Sequence, residues 1–388
     1  MSWNWQQPDW PKFTWDVTRL ARAEEAFLLG AGVVLGTIGH LAEEDRDALI
    51  VETLSSEALT TSEIEGETLD RESVQSSIRR QLGLSSDHRP ASPSEQGIAE
   101  MMVDLYRTSA GPLDDERLLN WHRMIVQARG DLRDIGRYRT HQEPMQIVSG
   151  TLQSPKVHFE APPSARVPAE MARFIDWFNQ TASSGSRPLP ALTRSGIAHL
   201  YFVSIHPFED GNGRLGRAIA EKALAQSTGQ PTLTSLAATI LVRRKAYYHT
   251  LERANRNNEI TDWLAWSAGV TLEAQRRTRA QVEFIVDKTH LLDRLRNRLN
   301  TRQEKALLRM LREGLEGFEG GLSAGKYARI TGTSPATATR DLVDLVAKGA
   351  LQRSGERRYT RYHLALPHRS VPQVLIAETG DLDTHEDA

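Results

Sequence analysis

The residues from His206 to Arg217, HPFEDGNGRLGR, set a titratable base, a carboxylate, a glycine-rich turn and two arginines side by side. His206 has an ordinary pKa of about 6.5 and can take a proton at neutral pH, which makes it the natural general base. Asp210 is a hard oxygen ligand of the kind that suits Mg²⁺ bridging phosphate oxygens. Arg214 and Arg217, three apart on one helix face, can both reach the same polyphosphate. Base, hard ligand and paired guanidinium groups together are what phosphate chemistry needs.

Such groups work only if the chain around them holds them. An apolar helical run ends near Ile205, the dipeptides Asp210-Gly211 and Asn212-Gly213 break the chain, and a helical pattern resumes at about Gly213. The loop therefore opens a helix, whose unpaired N–H groups and dipole favour an anion. Glycines at 211 and 213 permit positive φ angles that let Gly211, Asn212 and Gly213 converge their amides into an anion nest. Pro207 and Phe208 are expected to fix the imidazole, and Glu209 to face solvent.

HPFEDGNGRLGR resembles the signature of the Fic family, HPFx(D/N)GNGRxxR, at every fixed position. The resemblance implies an all-helical Fic core with a β-hairpin flap, in a mainly α chain. It also implies transfer of AMP from ATP to a Ser, Thr or Tyr hydroxyl of a protein target. His206 would then deprotonate that hydroxyl and Asp210 would hold Mg²⁺. The nest would bind the α- and β-phosphates, with Arg214 and Arg217 on the β and γ. The same groups serve removal of AMP from modified proteins, and that alternative stays open here.

The segment TTSEIEGE contains Thr61, Glu65 and Gly66 in the spacing of the family's (S/T)xxxE(G/N) inhibitory motif. Its carboxylates fall in the last turn of a helical run, where they oppose the macrodipole unless a distant cation compensates. No Lys or Arg lies between Asp47 and Asp70, and Arg217 is the candidate partner. A rival reading makes Ser62 to Glu65 a capping box that starts a helix. The runs Gly136–Gly150 and Lys156–Pro163 are similar to the family's target-binding flap, which adds a strand of the target to a sheet edge. Tyr247, Tyr248 and Asn255 are expected either to line an adenosine pocket or, for the tyrosines, to pack in the core. His122 and His199, within helical patterns, read as satisfied core residues.

Helical patterns cover about 17–41, 46–64, 70–82, 95–108, 114–128, 167–180, 190–205, 213–227, 237–256, 259–286 and 288–314. The aromatic arm holding Trp3, Trp5 and Trp10 is expected to pack on its own protein. Near the C-terminus a short helix over 322–330, a turn, and a helix capped by Ser334 with Pro335 at its first position precede a strand–turn–strand over 350–364. This succession resembles a winged helix-turn-helix domain, with Thr337, Thr339, Arg340, Arg357, Arg358 and Arg361 placed for DNA. A DNA-binding regulator with a nucleotide-sensing domain is thus the second function class. Gly320–Lys326 imitates a Walker A loop, but Tyr327 stands where a Mg²⁺-binding hydroxyl is required.

These readings divide the chain into an N-terminal region with the inhibitory helix (1–94), a catalytic domain (95–287), a winged-helix domain (288–366) and a disordered tail (367–388). With 388 residues there is length for several cores, and with no cysteine there is no disulfide or thiolate chemistry. Forty-eight basic against fifty acidic residues give no global preference for nucleic acid. The start MSWNWQQPDW has no signal-peptide pattern and no run of some 18 apolar residues occurs, so a cytoplasmic protein with no membrane partner is expected. A homodimer is compatible with all of this.

Overall fold

A computed structural model describes every residue except 1, 88, 152, 153, 232, 319, 368 and 386–388, and describes no side chain at 151, 154, 155, 316, 358 or 385. In chain order the elements are α1 (Val17–Gly39), α2 (Glu43–Ile64), α3 (Arg71–Leu82), α4 (Pro93–Thr108), α5 (Asp115–Val126), β1 (Gln146–Thr151) and β2 (Ser154–Glu160). There follow α6 (Val167–Gln180), α7 (Ala191–Ile205), α8 (Asn212–Thr228), α9 (Leu236–Val242), α10 (Arg244–Ala254), α11 (Thr261–Leu295), α12 (Thr301–Leu311), α13 (Ala324–Thr331) and α14 (Pro335–Ala347). Four short strands close the series: β3 (Leu351–Ser354), β4 (Arg361–Leu364), β5 (Gln373–Ile376) and β6 (Leu382–His385). The chain divides into two compact units, one built from 1–36, 50–278 and 372–388, the other from 37–49 and 279–371.

The first unit is organised around α7, which is buried on every side. A helix buried on every face belongs in a core, and α8 packs along it where Gly216 lets the backbones close up. A Cβ on Gly216 would lie 2.9 Å from Val203 Cγ1, and one on Gly196 of α7 would lie 2.6 Å from Leu264 Cδ2 of α11, which approaches in the same way. Local capping fixes where the surrounding helices start. Asp70 accepts from the Ser73 amide, Asp114 from Arg117, and Ser92 with Glu95 forms a capping box ahead of Pro93. The flap β1–β2 is an antiparallel hairpin with a register shift between Ile147 and Val148.

Several boundaries differ from the sequence reading. The expected helix over 237–256 is two helices, broken at Arg243, where φ is −107° and ψ is 24°. The expected helix over 288–314 is interrupted as well, because Asn300 and Gln303 form a capping box that starts α12 afresh. No capping box starts at Ser62, since α2 ends there and Gly66 turns with φ at 86°. The tail after Pro367, expected to be disordered, instead forms the β5–β6 hairpin. Val374 and Ile376 are buried, Asp381 pairs with Arg22, and Arg19 Nε donates 3.2 Å to the Ala377 carbonyl. The apolar run Val374–Ile376 on β5 buries Val374 and Ile376 on one face and leaves Leu375 on the other, which outweighed the acidic composition.

The second unit packs Leu291, Leu295, Leu307, Met310, Tyr327, Leu342, Leu345 and Tyr362 into its own core. Tyr327 donates its hydroxyl to Asp341 at 3.0 Å, and Arg302 holds the same carboxylate at 2.8 Å. Ser334 caps α14 as the sequence indicates, and β3 pairs antiparallel with β4. Thr339, Arg340 and Arg357 are exposed, whereas Thr337 and Arg361 are half-buried, Thr337 sharing a 3.1 Å contact with Ser334 and Arg361 donating to the Thr360 carbonyl. The Arg358 side chain lies outside the described residues.

Candidate active site

The loop between α7 and α8 begins with a strained residue. His206 caps α7 at φ 50° and ψ 60°, a left-handed conformation that costs a non-glycine residue about 1–3 kcal/mol unless its surroundings impose it. Arg139, buried just after Gly136 at the flap's entrance, imposes it. Its amide donates 2.9 Å to the Pro207 carbonyl, its Nε 2.7 Å to the His206 carbonyl, and its Nη1 2.8 Å to Ser164 Oγ. The His206 ring nitrogen Nδ1 donates 3.3 Å to the Val203 carbonyl, which leaves Nε2 with its lone pair free. Burial, and then the Arg139 charge, push the imidazole down to about 4, so it is neutral throughout the physiological range.

Phe208 and Asn212 lock the turn. The Phe208 amide donates to Asn212 Oδ1 at 3.0 Å while Asn212 Nδ2 donates to the Phe208 carbonyl at 2.8 Å, so this side chain is spent on shaping the loop. His122 stacks flat on the Phe208 ring at 4.0 Å and accepts the Gly136 amide at 3.0 Å. Glu209 does not simply face solvent; its Oε2 accepts the amides of Arg133 and Asp134 at 2.8 and 3.0 Å. Gly211 has φ at 84°, as a nest requires, but Gly213 is an ordinary helical residue of α8. Space is what Gly213 supplies: a Cβ there would sit 2.2 Å from Glu65 Oε1 and 3.2 Å from Arg217 Nη1.

The helix N-terminus is crowded with charge. Arg217 donates from Nε to Thr61 Oγ1 at 2.7 Å, and from Nη2 to the Thr61 carbonyl at 2.9 Å and to Glu65 Oε1 at 2.8 Å. Arg214 pairs with Glu67 at 2.9 Å, a contact that no local spacing announces. Both guanidinium groups are buried, and Arg214 Nε and Arg217 Nη1 have no hydrogen-bond partner among the described residues. Unspent buried donors beside a helix N-terminus make an anion site. Asp210 accepts the Gly211 amide at 2.7 Å and is paired by Arg129, an exposed arginine that the sequence reading passed over. No cluster of three or more His, Cys, Asp or Glu suited to a metal occurs among the described residues.

The remaining expected site residues lie around this centre. Tyr248 donates to the Ile64 carbonyl at 3.3 Å, touching the end of α2. Tyr247 is buried against Trp263 and Trp266, with its hydroxyl 2.9 Å from His199 Nε2. Asn255 is also buried, its Oδ1 accepting from Ser204 at 3.2 Å. The core reading of His122 and His199 fits their burial, which pulls the two imidazoles down to about 4 and about 3, Arg217 adding to the effect at His199.

Residues 112–224 match the Fic/DOC family. The chain carries a Fic domain. Residues 3–84, ahead of it, match a domain of unknown function, DUF4172. Among curated relatives, the Protein adenylyltransferase Fic of Drosophila willistoni is 35% identical over 88 residues, 23% of this chain and 16% of its own. Protein adenylyltransferase fic-1 of Caenorhabditis briggsae is 28% identical over 143 residues, 37% of this chain and 24% of its own. The chain thus spans a quarter or less of the relatives it matches. A crystal structure of a Fic family protein from Desulfovibrio desulfuricans superimposes with a TM-score of 0.50 at 23% identity, covering 88% of this chain and 95% of that one, which shows a shared fold. Among the described residues no helix is long and apolar enough to cross a membrane.

Proposed function

We propose that this chain transfers AMP from ATP to a hydroxyl side chain of a protein, and that the end of α2 restrains it. The observation that carries the reading is the pair of buried arginines at the N-terminus of α8. Each is held by a carboxylate, from Glu65 or Glu67, and each keeps an N–H without a partner among the described residues. A carboxylate in that position stands in for a phosphate oxygen, since it brings the same negative charge and accepts the same guanidinium N–H.

In the reaction His206 Nε2 takes the proton of the target hydroxyl as its oxygen attacks the α-phosphorus. The bond to the bridging oxygen breaks and pyrophosphate leaves. Gly211 and the first turn of α8 receive the charge that develops on the phosphoryl oxygens. Arg214 and Arg217 hold the leaving phosphates. Asp210 supplies one hard oxygen donor, which fits Mg²⁺ because that ion keeps waters and phosphate oxygens for its other ligands. Bound there, it would neutralise phosphate charge. Arg129 must first release Asp210.

Incubating the protein and its Glu65→Gly variant with ATP and Mg²⁺ tests the reading by mass spectrometry. Little AMP on the wild-type chain or on added protein, and at least about tenfold more with the variant, is expected, since about 1.4 kcal/mol of released restraint is a factor of ten. Equal labelling removes the restraint, and labelling that survives His206→Ala removes the base. An AMP-modified protein that loses AMP in the same assay turns the reaction round. The exposed Thr339, Arg340 and Arg357 of the second unit support a separate reading as a DNA-contacting surface, for which duplex affinity must fall steeply with salt.

A further inference from the structure

The segment of unknown function contributes more than the inhibitory helix. Its first residues form a 3₁₀ turn, Asn4–Gln6, whose Asn4 is fully buried beside the candidate site. Asn4 Nδ2 donates 2.8 Å to Ser204 Oγ, and Ser204 Oγ donates 3.2 Å to Asn255 Oδ1. The Asn4 amide donates 2.8 Å to the Asn255 carbonyl, and its Oδ1 accepts the Trp5 amide at 2.8 Å. Both flanking tryptophans reach the flap: Trp5 Nε1 donates 2.6 Å to the Glu160 carbonyl, and the Trp3 ring meets Phe159 edge-on at 5.4 Å. Phe159 in turn lies 6.5 Å from the His206 ring, and Arg256 covers the other side of Trp3 at 3.9 Å.

We infer that Asn4 is a positioning residue for AMP transfer: through Ser204 it fixes the last turn of α7, while its neighbours fix the flap on the opposite side of His206. The route is short. Ser204 adjoins Val203, whose carbonyl receives His206 Nδ1 and so decides which ring nitrogen is the base. Asn4 also ties that turn to Asn255, at the end of α10. A buried polar link of this kind, with every member bonded, trades hydrophobic burial for a single defined geometry. Simple adhesion of the arm would need only its tryptophans.

The inference rests on the transferase reading, so its test carries a readout independent of transfer. In the full chain with Glu65→Gly, Asn4→Ala and Ser204→Ala are made singly and together, and kcat and KM for ATP are measured. The His206 signal is followed at pH 7 by NMR with histidine labelled at ¹³Cε1. Each single substitution is expected to lower kcat about tenfold, a fraction of what a 1 Å misplacement can cost, with KM changing less. The double variant is expected to be slower by much less than the product of the single losses, because both break the Asn4–Ser204 contact. The His206 signal should move in all of them. If Asn4→Ala fails to fold, Ser204→Ala, which removes a single oxygen, carries the same test. Independent multiplying losses, or an unmoved His206 signal beside a lowered melting temperature, would overturn the inference. A parent that transfers no AMP while the His206 signal still moves removes the transferase reading and leaves the positioning.

Discussion

The two arginines of the Fic loop are restrained by different carboxylates, and this divides their roles. Glu65 sits over Gly213 and holds Arg217, whereas Glu67, past the turn at Gly66, holds Arg214. Glu65→Gly therefore leaves one arginine occupied. Adding Glu67→Ala is expected to tighten ATP binding further, by about 3- to 10-fold for a half-exposed pair, as isothermal titration would record. Unchanged affinity would show that Glu67 yields to phosphate without cost. Arg139 acts on the base instead. Burial lowers the His206 pKa first and the Arg139 charge adds to it, while the Arg139 Nε holds the His206 carbonyl. Arg139→Ala removes that charge and loosens the loop around the ring, and both changes raise the imidazole pKa. The acid limb of the rate profile should then move up from about 4 towards about 6.5, with kcat at pH 7 reduced about 10²-fold as the loop relaxes.

At the level of elements, the site depends on helices that approach through glycine. Gly97 on α4 faces α5 so closely that a Cβ would lie 1.8 Å from the Met124 carbonyl oxygen. Backbone cannot yield as a side chain can, so Gly97→Ala must part the two helices. A loss of about 1–3 kcal/mol is expected, read as a lower denaturant midpoint. Because α5 carries His122, which stacks on Phe208, the same variant should also slow transfer. What the sequence made legible follows this local logic. The turn after Ile205, the cap at Ser334 and the charge conflict at the end of α2 are all contained within a few residues. Arg129, Arg139, Glu67 and Asn4 were not legible. Their types are ordinary, and only tertiary proximity gives each its partner on α7, α8 or the loop between them, from 67 residues away for Arg139 and the His206 carbonyl to 200 for Asn4 and Ser204. Gly213 was singled out for its backbone freedom, but what it provides is room.

Across the whole molecule, protonation couples the site to stability. His122, His199 and His206 are held by burial to about 4, about 3 and about 4, against about 6.5 when unfolded. Between those values the unfolded chain binds more protons, so stability rises with pH, and it falls as pH drops from about 6.5 towards about 4. Glu57 opposes this with a single proton, since burial and then Glu221 raise its carboxyl well above the ordinary value. The histidines outnumber it. The melting temperature is expected to drop between pH 7 and pH 5, by about 1–2 kcal/mol of stability for each fully buried histidine. A flat or rising profile in a thermal scan across that range would contradict the burial of these rings. The unit that holds the candidate site also draws on chain far beyond residues 112–224, for the β5–β6 hairpin and most of α1 belong to it together and meet through Arg22 and Asp381. On the ribosome, a nascent chain has translated His206 long before the strands that finish its unit emerge from the exit tunnel. Completion of that unit must await synthesis of residues 372–388, and a nick near residue 372 would strike the unit that holds His206 rather than the other one.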